Sequence, residues 1–452
     1  MSPRRAAAEA ARQRATAAAV LKAGLLAADP RLAVRRALRS SAQGLSIAGE
    51  RLAPKGRLVL LAVGKAAPAM AAAAVDVFGS RFESGLVITN AATGALPPFE
   101  VKEAGHPVPD RRGLQAAAAA ESLLRGLGAH DLLLLLLSGG ASALLPAPAA
   151  GLRLEDKART TSLLMKAGAN IHELNTVRKH LSRLKGGGLA RQAAPARVRA
   201  LVLSDVVGDD LSTIASGPAS PDPTTFADAL RVLRLRRLLE RVPRAVRKHL
   251  EAGERGRVPE TPKPGDALFG RVRAHVVGGN RQSLEAAARE ARRHGYRPLV
   301  LTSRLEGEAR EAARVLVSIL RECVESGRPR APPVCLLAGG ETTVTVRGKG
   351  HGGRNQEMAV AAAPLLDAFP VEAFFASLAT DGIDGRSEAA GGAVNRGTLR
   401  RAEALGLARP EVFLADSDSR AYLGPVGGLI VTGPTGTNVI DLTVLLADRP
   451  AR

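Results

Sequence analysis

The 452-residue chain has no tryptophan, two tyrosines and nine phenylalanines, so aromatics are 2% of it. Its core must be built from Leu, Val and Ala, and there is little on which nucleic-acid bases could stack. Only two cysteines are present, Cys323 and Cys335. One pair cannot make a disulfide framework and has no metal-ligand spacing, which points to a reducing, cytoplasmic home. No apolar run reaches the about 20 residues that cross a bilayer, so no membrane partner is expected. Walker A, G-x-G-x-x-G directly after the first strand and the G-x-S-x-G elbow are all missing. "HEL" at His172–Leu174 lacks the second histidine of a zinc protease.

The composition is otherwise that of a soluble globular protein, with 46% hydrophobic and 24% charged residues. Its length suits two domains. The formal net charge is +21. The basic residues are scattered, sit beside Glu in helical contexts, and form none of the standard nucleic-acid motifs. No nucleic acid is therefore expected as partner, and a positive surface suits small anionic substrates. The N-terminal stretch reads as an amphipathic helix closed by Pro30, although an Arg- and Ala-rich transit peptide reads similarly.

Three segments read as strand, glycine turn, helix. They are "GRLVLLAVGKAAPAM", "DLLLLLLSGGASALL" and "VRALVLSDVVGDDLSTIASGP". Such alternation predicts a parallel sheet covered by helices on both faces, with the three polar loops on one side. The Pro- and Gly-containing stretch 251–270 reads as a linker or long excursion. The chain is expected to divide there into domains 1–260 and 261–452, the second with a mixed sheet. In the second, "TTVTV" reads as a half-buried strand.

Five glycine loops follow apolar strands: "SGGAS", "VGGN", "AGGET", "GKGHGGRN" and "GPTGT". Such loops and the helices after them can bind phosphate through bare N–H groups. Ser138, Gly139, Gly140, Ser142, Gly278, Gly279, Asn280, Gly339, Gly340 and Glu341 are therefore candidate nucleotide contacts. Lys65 stands in a Gly-Lys turn opening a helix, placed to meet a phosphoryl or carboxylate oxygen. Asn175, Arg178, Lys179 and Ser182 can share a helix face, with Lys185 just beyond and "KGGG" ending the helix. Asp205, directly after a strand, suits Mg²⁺ or a hydroxyl proton; Asp210 or Ser212 suits a cap. Arg354, in a glycine loop, suits a transferring phosphoryl group. Asp381 and Asp384 could hold metal or nucleotide, or make turns.

Taken in order, "VGKAAPAM", "GHPVPD", "LLLLLLSGGASALLPAP", "NTVRKHLSRLKGGGLA", "LSDVVGDDLSTIASGPASPDPTT", "GGETTVTVRGKGHGGRNQEMAV", "SLATDGIDGRSEAAGGAV" and "TGPTGTNVIDL" resemble the glycerate 2-kinase, or MOFRL, family over nearly the whole chain. The resemblance implies phosphorylation of D-glycerate by ATP at the 2-hydroxyl, with Mg²⁺. It also implies a Rossmann-like domain, a smaller C-terminal domain with the MOFRL region at about 330–446, and a site in the cleft between them. Lys65 and Arg354 match the family's catalytic lysine and arginine. Asp205 and Asp381 would assist the metal, and Asn175, Arg178 and Lys179 the substrate. Asp416–Tyr422 departs from the family's aromatic-containing stretch. The rival readings are an NAD(P)H-dependent hydroxypyruvate reductase and a basic nucleic-acid-binding protein. Monomer and homodimer are both left open.

Overall fold

The computed structural model describes residues 3–42, 44–53, 55–91 and 94–449. The α/β class holds. The chain divides into two compact units, Pro30–Val277 and Met1–Asp29 with Gly278–Arg452.

The first unit begins with a small antiparallel sheet of β1 (Leu38–Ser41), β2 (Gly44–Ile47) and β3 (Glu50–Leu52). Its main sheet holds β4 (Leu58–Val63), β5 (Phe82–Thr89), β6 (Glu100–Glu103), β7 (Leu132–Leu137), β8 (Arg197–Leu203) and β9 (Val272–Gly278). The spatial order is β6-β5-β4-β7-β8-β9, and the pairs β6–β5, β5–β4, β4–β7 and β7–β8 are parallel. The six leucines of β7 are all buried. Alternate side chains point to opposite faces of a strand. Leu133, Leu135 and Leu137 join Ala116, Ala120 and Leu124 of the helix Arg111–Arg125 on one face. The helix Ala67–Phe78 packs against β4 and β7 as well. Burying each leucine contributes about 1.5–3 kcal/mol, so an unbroken leucine run is what a doubly covered strand selects.

The second unit holds β10 (Arg297–Leu305), β11 (Val334–Gly340), β12 (Ala373–Ala379), β13 (Gly391–Asn395), β14 (Leu429–Ile430) and β15 (Asp441–Ala447). Their order is β10-β11-β15-β12-β13-β14, with β10–β11 parallel and the other pairs antiparallel. The helix Pro3–Ala27 belongs here, because Ala17, Val20 and Leu21 pack among Leu284, Ala287, Leu442 and Val444. Met1 and Ser2 of the expected first helix lie outside the described residues.

Three local expectations change. Against the expected division 1–260 and 261–452, residues 3–29 go with the second unit, and residues 261–277 stay with the first instead of opening the second. Glu260 accepts from His180, Thr261 and Phe226, Asp222 accepts from Thr261, and β9 completes the first sheet. "TTVTV" forms no strand beyond a single bridge between Thr343 and Glu308. Thr343 N–H donates to the Gly307 carbonyl, Thr345 N–H to Glu308 and, just beyond, Arg347 N–H to Ser417. The helix Ile171–His180 ends before "KGGG". Gly186 and Gly187 take left-handed backbone there, and Gly187 caps the next helix, Gly188–Ala193.

Candidate active site

Val63 of β4 pairs with Leu137 of β7, and Leu137 with Val202 of β8, so the three strands end level. Chain order reverses between β4 and β7, the switch point where doubly wound sheets bind ligands. The three polar loops meet there. Lys65 N–H donates to the Gly139 carbonyl at 2.9 Å, and Ala66 N–H to Ser138 Oγ at 3.1 Å. Gly64 has φ +137, and a β-carbon on it would collide with Ser138 Oγ. Ser138, itself buried, therefore pins the Lys65 turn. A β-carbon on Gly139 would collide with Asp205 Oδ2, and one on Gly140 would stand 3.0 Å from His106 and 3.3 Å from Lys65 Cγ. Lys65, His106 and Asp205 thus surround one glycine turn. Burial, then Lys65, hold the His106 imidazole below its ordinary range.

Beside this turn lies a cavity of about 780 Å³, lined by Gly140, Ser142, Arg178, Lys157 and Lys185 among others. Arg178 reaches it; its two companions on the helix do not serve the same end. Lys179 is buried and donates to Asp222 at 3.3 Å. Asn175 donates to the Thr213 carbonyl and accepts from Ser216, fixing the loop after β8. In that loop Asp210 is a turn-former, accepting from Ser212 and Thr213. The substrate set Asn175, Arg178 and Lys179 therefore splits: one side chain faces the cavity and two hold the scaffold.

In the second unit, Arg354 opens the helix Arg354–Asp367. Its Nε and Nη2 clamp the two oxygens of Asp441 at 2.6 and 2.9 Å, and Nη1 reaches Glu341 at 3.0 Å. Burial opposes the guanidinium charge, but Asp441 and Glu341 together hold its pKa above the ordinary value. Burial pushes Asp441 up to about 6, against the pull of Arg354. Arg354, Glu341 and Gly353 border a cavity of about 400 Å³.

The "GKGHGGRN" loop of this unit is already occupied. The first N–H groups of the Arg354–Asp367 helix, on Asn355 and Gln356, donate to the buried carboxylate of Asp384. Lys349 N–H meets Asp416 and His351 N–H meets Asp418. β-Carbons on Gly348, Gly350 and Gly353 would collide with Asp416, Asp418 and Asp384. Gly339 leaves room for the Asn280 amide, which bonds the carbonyls of Val439 and Asp441. Gly340 (φ +147) fits against the Leu305 backbone, and Gly278 and Gly279 join β9 to the helix Asn280–Arg293. Asp381 accepts from Ile383 N–H in a turn. Close packing thus accounts for most glycines that sequence alone assigned to phosphate.

Two family models match the chain: a domain of unknown function (DUF4147) over residues 16–251 and the MOFRL family over residues 334–441. A glycerate 2-kinase from Pyrococcus horikoshii is 44% identical over 422 residues, covering 93% of this chain and 94% of its own. The chain belongs to the glycerate 2-kinase (MOFRL) family. A D-glycerate 2-kinase from Thermotoga maritima is 43% identical, covering 86% and 90%. The crystal structure of a glycerate kinase from Thermotoga maritima aligns with a TM-score of 0.85 and 39% identity, covering 97% of this chain and all of that one.

Some residues of this family member were not singled out from sequence. His106 sits in "GHPVPD", but its approach to Lys65 is a tertiary contact. Lys157 stands on the helix Leu154–Lys166 with no local signal. Asp441, the clamp on Arg354, opens the apolar strand β15 and carries no motif of its own. Among the described residues, no three His, Cys, Asp or Glu side chains converge as metal ligands.

Proposed function

We propose that the chain transfers the γ-phosphoryl group of ATP to the 2-hydroxyl of D-glycerate, giving 2-phosphoglycerate and ADP. One observation carries this: Lys65 and Asp205 converge on the Ser138–Gly140 turn, in a chain 44% identical to a glycerate 2-kinase. Phosphoryl transfer needs positioning and charge neutralisation more than covalent help from the protein. Asp205 orients the 2-hydroxyl and takes its proton. The freed oxygen forms a bond to the γ-phosphorus while the bond to the bridging oxygen of ADP breaks. Lys65 neutralises charge on the moving group. Arg354, held rigid by Asp441, presents its remaining N–H donors to phosphoryl or carboxylate oxygens. Asp205 or Asp381 would hold Mg²⁺, which would supply charge neutralisation for the phosphate oxygens. Catalysis takes place in the cytoplasm, where the buried Cys323 and Cys335 stay reduced.

NMR of the product from ATP and D-glycerate tests the reaction, with 2-phosphoglycerate expected. Lys65→Ala and Arg354→Ala, assayed singly, are each expected to lower kcat by about 10²-fold or more. Near-normal turnover in both would refute the role assignment. Hydroxypyruvate with NADH is expected to give no oxidation of the cofactor.

A further inference from the structure

The 780 Å³ cavity lies wholly within the first unit, and its charge is of one sign. Six basic side chains line it, His106, Lys157, Arg159, Lys166, Arg178 and Lys185, and no carboxylate does. Elsewhere in the unit, buried cations are paired: Lys179 with Asp222, Arg199 with Glu50. Lys157 is different. It is 8% exposed, and its Nζ has no hydrogen-bond partner among the described residues. Lys185, also buried, donates to the carbonyls of Ser142 and Ala215, which are neutral. Burying a cation without a counter-charge is costly, so the arrangement is suited to an anion supplied from outside. The lining also has apolar side chains. Val108 and Met165, 68% and 63% exposed, stand on the lining. A cavity of this volume suits a ligand much larger than a three-carbon acid.

We propose that this cavity is the nucleotide site, with Lys157, Arg178 and Lys185 taking the polyphosphate and the Val108–Met165 side taking the base. The proposal rests on the kinase reading for ATP as the ligand. It moves the nucleotide away from the second unit's "GKGHGGRN" loop, whose donors Asp384, Asp416 and Asp418 already hold. It also gives Lys157 a linked proton. Burial, then Arg178 and Arg183, lower its pKa to about 7, and burial, then Lys157 and Arg178, lower that of Lys185 well below the ordinary value. His106, Arg159, Lys166, Arg178 and Lys185 share the cavity with Lys157, and Arg183 is already paired to Glu121. A bound polyanion favours the charged ammonium, so ATP binding at pH 8 takes up protons.

The test uses the full chain. Lys157→Met removes the charge, keeps the apolar stem and breaks no hydrogen bond, so its Tm should equal or exceed the wild-type value. Its KM for MgATP should rise at least tenfold, with KM for D-glycerate within twofold. Titration calorimetry with ATP in Tris and in HEPES at pH 8 should show proton uptake that shrinks in the variant. Met165→Glu, at an exposed position, provides a second reading if Lys157→Met fails to fold; it too should raise KM for MgATP. Unchanged KM for MgATP in the folded variants, or a rise confined to D-glycerate, overturns the nucleotide site and leaves the kinase reading standing. A wild-type chain that fails to turn over ATP and D-glycerate removes the kinase reading, while ATP binding weakened in the variants would still uphold the site.

Discussion

Replacing Gly139 with alanine separates catalysis from stability in one step. The added methyl would collide with Asp205 Oδ2, so roughly 1 Å of overlap must be relieved to reach ordinary contact. The neighbour is the end of a side chain, so the carboxylate moves and the strands do not. Gly139 is not in the left-handed region, and Gly→Ala at such a position leaves stability unchanged or raises it by about 0.4–1 kcal/mol. A displacement near 1 Å of a group that must receive a proton costs about 10²-fold in rate, equivalent to about 2.7 kcal/mol of barrier. Gly139→Ala should therefore lower kcat about 100-fold with an unchanged Tm. Steady-state kinetics and differential scanning calorimetry measure the two quantities. A kcat within twofold of wild type would refute the placement of Asp205 at the reacting hydroxyl. Gly140→Ala is the internal contrast: φ is +87 there, so it should lose about 1 kcal/mol or more of stability as well.

Asp222→Ala leaves the buried Lys179 ammonium unpaired and should cost about 3–5 kcal/mol; if KM for D-glycerate rose sharply while Tm held, Lys179 would be a ligand residue after all. Protonating Asp441 weakens the clamp on Arg354, so kcat should fall on the acid side with an apparent pKa near 6; an acid limb that survived in Asp441→Asn would refute that assignment. The folded-state pKa of Asp441 is raised, so its contribution to stability is full below about pH 4 and is lost as pH rises through about 6; urea unfolding of wild type and Asp441→Asn across this range would show the difference. Leu134→Ala in the centre of β7, where the side chain is fully buried, should cost about 2–5 kcal/mol by calorimetry.

Lys65, Ser138, Gly139, Gly140 and Asp205 were legible because each follows directly on an apolar strand, and parallel strands of similar length end on one edge. Arg354 was legible from its place in a glycine loop and from the family resemblance. Other readings erred where a local pattern has two physical causes. A glycine bares its N–H for phosphate and equally admits a close neighbour; Gly348, Gly350 and Gly353 do the second, against Asp416, Asp418 and Asp384. The helical spacing of Asn175, Arg178 and Lys179 was real, but Lys179 found Asp222 some forty positions away. Asp416–Tyr422 supplies two of the carboxylates that fill the "GKGHGGRN" loop.

The sequence by itself determined the apolar strands β4, β7 and β8, the glycine turns after them and the residue types at the edge of the first sheet. Periodicity and strand-end position are properties of consecutive residues. Only the tertiary structure decided which donors remain free, which charges are paired, and that Lys157, Arg178 and Lys185 face one cavity. Hydrogen-bond satisfaction and charge compensation depend on neighbours in space, which no window of sequence contains.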